Sequence, residues 1–224
     1  DDKSIAVLPF DNFSKNEEDE YFTDGITEDI TMNLAKIKDL IVISRTSVMG
    51  YKNSTKKMKE IADELGVKYI LEGSVRKLGN RVRIVGQLID AKSDKHVWSE
   101  SYDRDMIDLF QIQADVSKEI ANAMQAELSD KTIAQIEKVP TDNMEAYELY
   151  KKARNYHYRS FRESDFNLAV DYYREAIKLE PNFALAYAGL SEVHGFIIWM
   201  GYDISDERKR MVKNNLNKAK ELDP

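Results

Sequence analysis

The sequence predicts a chain of two parts: an α/β domain with a mixed sheet, followed by all-α helical hairpins. In the first part, short apolar runs alternate with apolar stripes at helical spacing, which is typical of strands and helices taking turns along a chain. In the second part a helix ending recurs, because Ala176 and Ala219 stand 43 residues apart, as do Pro181 and Pro224. A recurring helix ending indicates a repeated structural unit.

Length and composition fit this division. The 224 residues can fill two ordinary domains, and 42% hydrophobic with 33% charged residues is the balance of a globular protein. Pro140 lies between the two patterns, so we assign the α/β domain to residues 1–129, a linker to 130–143 and two repeats to 144–224. Because the chain starts without methionine and stops at a repeat boundary, we expect a fragment whose repeat array continues.

Composition also excludes several classes of function. Through Pro140 there are 20 Lys and Arg against 26 Asp and Glu, and beyond it 13 against 14, so neither part has the excess basic charge of a nucleic-acid surface. The absence of cysteine excludes disulfides and thiol catalysis. The longest apolar run, Phe196–Met200, is far shorter than the roughly 20 residues of a membrane helix. We therefore expect no membrane span.

The predicted elements of the first part begin with a buried strand at Ser4–Leu8, which Pro9 closes. Two amphipathic helices then alternate with two strands: a helix from Glu18, a strand at Leu40–Ser44, a helix from Met58 and a strand from Tyr69. This order is typical of right-handed crossovers in a parallel sheet.

Beyond the third strand the apolar period changes to two. Alternating residues after the turn Leu78–Asn80 predict an antiparallel meander, continued by a strand at His96–Tyr102. An apolar stripe from Leu109 to Leu128 predicts a long closing helix. The first part is therefore an α/β domain with three helices on a mixed sheet.

Ligands of open parallel sheets tend to bind beyond the carboxyl ends of the strands. The polar and small residues expected there form the candidate ligand or partner site: Asp11, Asn12, Ser14, Asp24, Gly25, Arg45, Thr46, Ser47 and Tyr51. No dinucleotide fingerprint or P-loop pattern accompanies them. Two interpretations stay open: helix capping and turn chemistry, or a polar pocket.

No catalytic constellation is visible in the sequence. The three histidines, His96, His157 and His194, have no carboxylate at a metal-ligand spacing, which favours packing or surface roles. No Gly-x-Ser-x-Gly elbow occurs. We therefore expect no enzyme activity, no metal and no cofactor.

A family resemblance covers nearly all of residues 3–129. It rests on the runs Ser4–Phe10, Tyr21–Ile30, Val42–Ser47, Glu64–Arg76 and Trp98–Arg104. These runs resemble the TolB-amino-terminal-like domain, related to FlgO, which is commonly followed by tetratricopeptide repeats in bacterial adenylate/guanylate cyclases and membrane-linked winged-helix regulators. The resemblance implies a non-catalytic module. Because the amino-terminal domain of TolB itself docks proteins, the resemblance favours protein partners over substrates.

The second part predicts four helices paired as two hairpins: Met144–Tyr158, Asp165–Leu179, Phe183–Trp199 and Asp206–Leu222. Aromatic, small and proline positions resemble the tetratricopeptide pattern: Tyr147, Tyr150, Ala169, Tyr173, Ala176, Pro181, Tyr187, Leu190, Leu216, Ala219 and Pro224. The standard period is about 34 residues, so the spacing of 43 implies longer inter-helix segments. Stacked helical repeats bind a peptide or a protein partner on their concave face.

The run Phe196–Met200 has two interpretations. It is either helix core covered by the next helix, or an exposed patch that contacts a further repeat, a partner or a second copy of the chain.

Taken together, these patterns predict a non-enzymatic regulatory and protein-interaction module of a larger bacterial signalling protein. The alternative is a small-molecule sensor that binds a polar ligand at the carboxyl ends of the first two strands. The family resemblance makes an extracytoplasmic (periplasmic) position behind an upstream membrane helix an expectation, beside a cytoplasmic one.

Overall fold

A computed structural model describes residues 2–16 and 19–223 of the chain. The chain divides into two compact units, the first ending at Lys138 and the second starting at Val139. Each unit is described by itself.

The first unit contains a six-stranded sheet in the order β3-β1-β4-β5-β6, with β2 pairing with β4 beside this path. The strands are β1 Ser4–Val7, β2 Asp11–Asn12, β3 Ile41–Val42, β4 Tyr69–Leu78, β5 Arg81–Asp90 and β6 Lys95–Asp105. β1 runs parallel to β3 and β4, whereas β4, β5 and β6 form an antiparallel meander. The prediction of an α/β unit with a mixed sheet is confirmed.

The helices of the first unit are α1 Glu20–Ala35, α2 Arg45–Val48, α3 Met58–Leu65, α4 Leu109–Ala123 and α5 Asp130–Ile136. Two single turns of 3-10 helix, Met49–Tyr51 and Met106–Asp108, adjoin α2 and α4. α3 ends at Gly66, whose φ of 67° places it in the left-handed region that glycine adopts without strain.

Helices cover both faces of the sheet, but to different extents. α1 and α4 pack on each other and on the strands. On the opposite face α3 packs with Ala6, Ile70 and Ala91 in a separate apolar cluster. No helix covers the part of that face formed by β5 and β6 in the described residues. Arg83, Ser99 and other side chains on this side of the two strands are exposed to solvent.

Three predictions about this unit were wrong in detail. The strand expected at Leu40–Ser44 shrinks to Ile41–Val42, and Ile41 is 63% exposed because β3 is an edge strand paired with β1. The closing helix ends at Ala123 rather than Leu128, since the chain turns at Gln125 with a φ of 54°. The segment assigned as linker, 130–143, begins with α5.

Local contacts explain why α5 forms where a linker was predicted. The Ser129 hydroxyl caps its amino end by accepting from the Thr132 amide at 3.2 Å. Ile136 is buried, and Lys118 of α4 donates to Glu137 at 2.6 Å. The helix is therefore tied to the first unit by a cap, an apolar contact and an ion pair.

Over its described residues, 139–223, the second unit consists of four helices: α6 Met144–Arg159, α7 Glu163–Leu179, α8 Ala184–Trp199 and α9 Asp206–Leu222. α6 and α7 are antiparallel, because Asn143 at the start of α6 donates to the Leu179 carbonyl at the end of α7. α8 and α9 are antiparallel as well, since Ser191 donates to the Val212 carbonyl while His194, later in α8, contacts Arg208, earlier in α9. The predicted helices and hairpins are confirmed, while their tetratricopeptide identity stays a prediction.

The core of the second unit is built from aromatic and small residues. Tyr173 is fully buried, and its ring centre lies 6.0 Å from that of Tyr150. α7 and α8 approach closely at Gly189, where a Cβ atom would lie 2.5 Å from the Tyr173 ring. The close approach of the two helices therefore requires glycine at this position.

The residues of the tetratricopeptide pattern differ in burial. The buried ones are Tyr147, Tyr150, Ala169, Tyr173, Ala176, Leu190 and Ala219. Tyr187 is half-buried, whereas Pro181 and Leu216 are exposed. Pro224 lies outside the described residues.

Candidate functional site

The predicted site residues near the first strand lie along β2 and the turn after it. Asp11 stands beside Ser74 of β4 in parallel register. The Asn12 side chain accepts from the Ser14 amide at 2.9 Å, and the Ser14 hydroxyl accepts from the Lys77 amide at 3.0 Å. Asn12 and Ser14 therefore carry out the turn chemistry that was one of the two interpretations.

Asp24 and Gly25 lie in α1, where Gly25 is buried. Asp24 accepts from Lys52 Nζ at 2.8 Å, and Lys52 also forms an ion pair with Glu20. Burial lowers the pKa of Lys52, but its hydrogen bonds to the two carboxylates raise the pKa by more, so the net shift is upward. Asp24 is thus occupied by a charged partner within the protein.

The predicted residues after the second strand are less enclosed than expected. Arg45, Thr46 and Ser47 form most of the short helix α2, and all three are exposed. The Ser47 hydroxyl lies 3.1 Å from that of Ser44, as in a helix-start turn. Tyr51 donates its hydroxyl to Glu64 of α3 at 2.7 Å.

In the described part of the chain, six of the nine site residues are distributed over three concavities. Asp24 and Arg45 line a gap of only ≈ 10 Å³, about the size of one water. Asp11 and Tyr51 line a different concavity of ≈ 270 Å³. Asn12 and Ser14 line a third of ≈ 620 Å³, which Asp11 also borders. Gly25, Thr46 and Ser47 line none of these three.

The ≈ 270 Å³ concavity contains two residues that sequence reasoning missed, Glu72 and Gln87. They stand opposite each other on β4 and β5. Burial raises the pKa of the Glu72 carboxyl, His96 lowers it, and Asp11 raises it further, with a net upward shift. The concavity is therefore lined by a half-buried carboxyl group and a second carboxylate whose charge acts on it.

The alternation of β4 is the signal that could have found Glu72. In a strand, residues two apart share a face, so Glu72 lies on the same side as Ser74. The apolar run Tyr69–Leu71 predicts the start of this strand, and Glu72 is the next residue. In the structure β4 continues to Leu78.

The second unit exposes a group of apolar side chains at the ends of its helices, here called the aromatic edge: Phe161, Trp199, Tyr202 and Ile204. Trp199 is 72%, Ile204 65% and Phe161 62% exposed. The rings of Phe161 and Trp199 have centres 6.5 Å apart, and the Tyr202 hydroxyl donates to the Phe161 carbonyl at 2.8 Å. Within Phe196–Met200, Ile197 is core but Trp199 is not.

The three histidines have different surroundings. His96 is exposed on β6, whereas His157 and His194 are buried in the second unit. Burial lowers the pKa of His157 to about 4, with Arg154 adding to the effect. Burial also lowers the pKa of His194 to about 4, and its Nδ1 accepts from Arg208 at 2.9 Å. Among the described residues no group of three or more His, Asp and Glu is arranged to hold a metal ion.

Residues 1–121 match the family described as "HilA/YgeH-like transcriptional regulator, second domain". A curated relative, Putative adenylate cyclase 3 of Rhizobium meliloti (strain 1021), is 40% identical over 188 residues. The match covers 84% of this chain and 32% of that protein, so the chain spans about a third of the relative's length. Within residues 2–16 and 19–223, no helix is both long and apolar enough to cross a membrane.

Several solved structures resemble the fold of the first unit, and two of them serve as examples. TolB from Acinetobacter baumannii matches at a TM-score of 0.42 and 16% identity, over 55% of this chain and 28% of that one. Lipoprotein GNA1162 from Neisseria meningitidis matches at a TM-score of 0.42 and 20% identity, over 54% of this chain and 97% of that one. Likeness at this level concerns the fold alone.

Proposed function

The chain belongs to the HilA/YgeH-like transcriptional regulator second-domain family through its residues 1–121, and on this premise we propose that it is a non-enzymatic regulatory and protein-interaction module of a larger bacterial signalling protein. In this proposal the α/β unit docks a partner domain and the helical unit supplies a partner-binding surface of the tetratricopeptide type. The 40% identity to a protein named as an adenylate cyclase supports a signalling context. We assign no cyclase chemistry to this chain.

The observation that carries the proposal is the aromatic edge. Large apolar side chains that lie together on a surface, rather than singly, mark contact sites between proteins. Tryptophan and tyrosine contribute most strongly to such contacts, because they bury a large area with few rotatable bonds. Trp199 at 72% exposure is the natural centre of this surface.

The candidate residues of the α/β unit support docking over ligand capture. The gap between Asp24 and Arg45 holds ≈ 10 Å³, whereas ligand pockets are roughly 300–1,000 Å³. Asp24 is already paired with Lys52. A polar molecule therefore has no room between Asp24 and Arg45, two of the residues on which the sensor interpretation depends.

Site-specific photo-crosslinking tests the interaction role. A photoreactive residue replaces Trp199 in the intact bacterial protein that contains this chain, and a matched one replaces Lys213, an exposed residue of α9. We expect a defined protein adduct from position 199 and none from 213. Ile204→Asp should lower the yield of that adduct at least several-fold. Equal adducts at both positions, or none at 199, contradict the proposal.

One observation favours a second candidate, a sensor of a small polar molecule. The ≈ 270 Å³ concavity is lined by Glu72, Asp11 and Gln87, and the charge of Asp11 acts on the Glu72 carboxyl. Two carboxyl groups next to an amide provide hydrogen-bond acceptors and negative charge, which suit a polar ligand that carries an amine.

A thermal-shift screen of polar metabolites tests this second candidate. If it is right, a ligand raises the unfolding temperature of the wild type, and Glu72→Gln abolishes the increase. Glu119→Gln is the matched control, since Glu119 is an exposed glutamate on α4 of the same unit. A screen without hits, or with hits that Glu72→Gln leaves unchanged, rejects the sensor.

A further inference from the structure

β6 is a long strand whose outer edge is open. It spans Lys95–Asp105 and lies at the end of the sheet, paired with β5 on one side. Most of its residues are exposed, with Trp98 and Tyr102 half-buried. Among the described residues, the β6 backbone makes one hydrogen bond besides those of the ladder with β5. In it, the Asp103 carbonyl accepts from the Arg81 side chain. An open edge of this length is a template for pairing with another strand.

Two charged residues on this edge stand opposite uncharged residues of β5 in the described sheet. On β5, Gly86 stands opposite Glu100 and Val82 stands opposite Arg104. Among the described residues, neither charged side chain makes a hydrogen bond or an ion pair. Both are exposed and lie on the same face of β6, since they are four residues apart. A charged cross-strand partner for either residue has to come from beyond the outer edge.

We propose that a second copy of this chain pairs antiparallel with β6, so that the two sheets join around a two-fold axis at Tyr102. In this register Tyr102 faces its own copy, and Glu100 of each chain stands opposite Arg104 of the other. Ser101 stands opposite Asp103, whose carboxylate can accept from a serine hydroxyl.

Charge complementarity selects this register. Directly opposed charges of opposite sign stabilise an antiparallel pair, and like charges destabilise it. With the axis at Glu100, the two glutamates would face each other. With the axis at Ser101, Glu100 would face Tyr102 and Arg104 would face Trp98, leaving the charges unpaired. With the axis at Tyr102, Glu100 of each chain stands opposite Arg104 of the other, so the dimer contains two pairs of opposite charge.

This pairing is independent of the proposed function. It uses neither the aromatic edge nor the ≈ 270 Å³ concavity, so failure of the dimer leaves the crosslinking and screening outcomes unaffected. A strand from an unrelated partner is the competing occupant of the edge. It would not require the complementary spacing of Glu100 and Arg104.

Sedimentation velocity of the 224-residue chain over a range of concentrations tests the dimer. We expect a reversible species of twice the 25.9 kDa mass of one chain. Glu100→Arg places arginine opposite Arg104 of the partner copy, and Arg104→Glu places glutamate opposite Glu100. Each variant alone should self-associate at least roughly tenfold more weakly, because two cross-strand pairs change from attraction to repulsion.

Mixing the two variants provides the decisive control. In a mixed dimer both opposed pairs again carry opposite charges. The dissociation constant of the mixed dimer should therefore lie within about threefold of the wild-type value, a difference no larger than the free energy of one such pair. Circular dichroism of each variant checks that the fold is intact. A chain that stays monomeric, single variants that dimerise like the wild type, or a mixture that fails to associate overturns the proposal.

Discussion

Tyr173→Ala is expected to remove most of the stability of the helical unit. The ring is fully buried between α6, α7 and α8, and it contacts Tyr150 and His157. Truncating a fully buried aromatic side chain costs about 3–5 kcal/mol, because the surrounding residues close the cavity only in part. Single domains have a total stability of about 5–15 kcal/mol. A unit of four helices is therefore left close to its unfolding threshold.

The neighbouring residue provides a matched control. Tyr172 is half-buried and stacks on Tyr156 with ring centres 5.5 Å apart. Tyr172→Ala should cost no more than about 1–1.5 kcal/mol, the scale of an aromatic pair at a partly exposed site. Equal losses in both variants would contradict the assignment of Tyr173 to the core.

Each unit contains one of the two tryptophans, Trp98 in the first and Trp199 in the second. In a Trp98→Phe background, urea unfolding followed by Trp199 fluorescence therefore reports on the helical unit. Far-UV circular dichroism provides a second measure. We expect the Tyr173→Ala transition to shift to much lower urea, with Tyr172→Ala close to the parent.

The helical unit is expected to lose stability as the pH falls from 6.5 towards 4. The imidazole of His157 has a pKa near 6.5 in an unfolded chain and of about 4 in the folded protein. Between these values the unfolded state binds a proton that the folded state does not, so acidification favours unfolding. A shift of this size corresponds to a loss of roughly 3 kcal/mol at the acid end of the window. His194 shifts in the same direction.

His157→Phe removes this titration and keeps an aromatic ring next to Phe166 and Phe196. Its free energy of unfolding should fall less than that of the wild type between pH 6.5 and 4. The carboxylates titrate alike in both proteins, so the difference isolates the histidine. His96→Gln is the control, since His96 is exposed. A wild type and a His157→Phe variant with parallel pH profiles would show that His157 is not held neutral.

The order of elements was predictable because each strongly periodic segment reports its own secondary structure. α6 and α9 lie within one residue of their predicted ends, since their apolar stripes are long and their caps are clear. Leu40–Ser44 is the counterexample. Its apolar run reads as a buried strand, yet it lies at the sheet edge, and Ser44 starts a helix. Edge position is decided by pairing partners, which a single run of residues does not encode.

The candidate site was predicted less well than the fold. Asp11 and Tyr51 do line one concavity, but Asp24 and Arg45 do not reach it. The sequence places these four residues after predicted strands. Which of them line the same concavity depends on the pairing of β2 with β4 and on the path of residues 51–58, and neither can be deduced from sequence position. The sequence does not determine the exposure of Trp199 for a similar reason. An apolar residue in a helix turns inward or outward according to the packing of its neighbours, which periodicity alone does not determine.

The contact between Gly189 and Tyr173 restricts the order in which the helical unit can change over evolution. A larger residue at 189 placed first collides with the tyrosine ring, because a Cβ atom there would lie 2.5 Å from it. A smaller residue at 173 placed first leaves a cavity. Either step is harmful by itself, although the two together restore contact. The two positions are therefore expected to show sign epistasis, so that sequences that share this packing change at both positions or at neither.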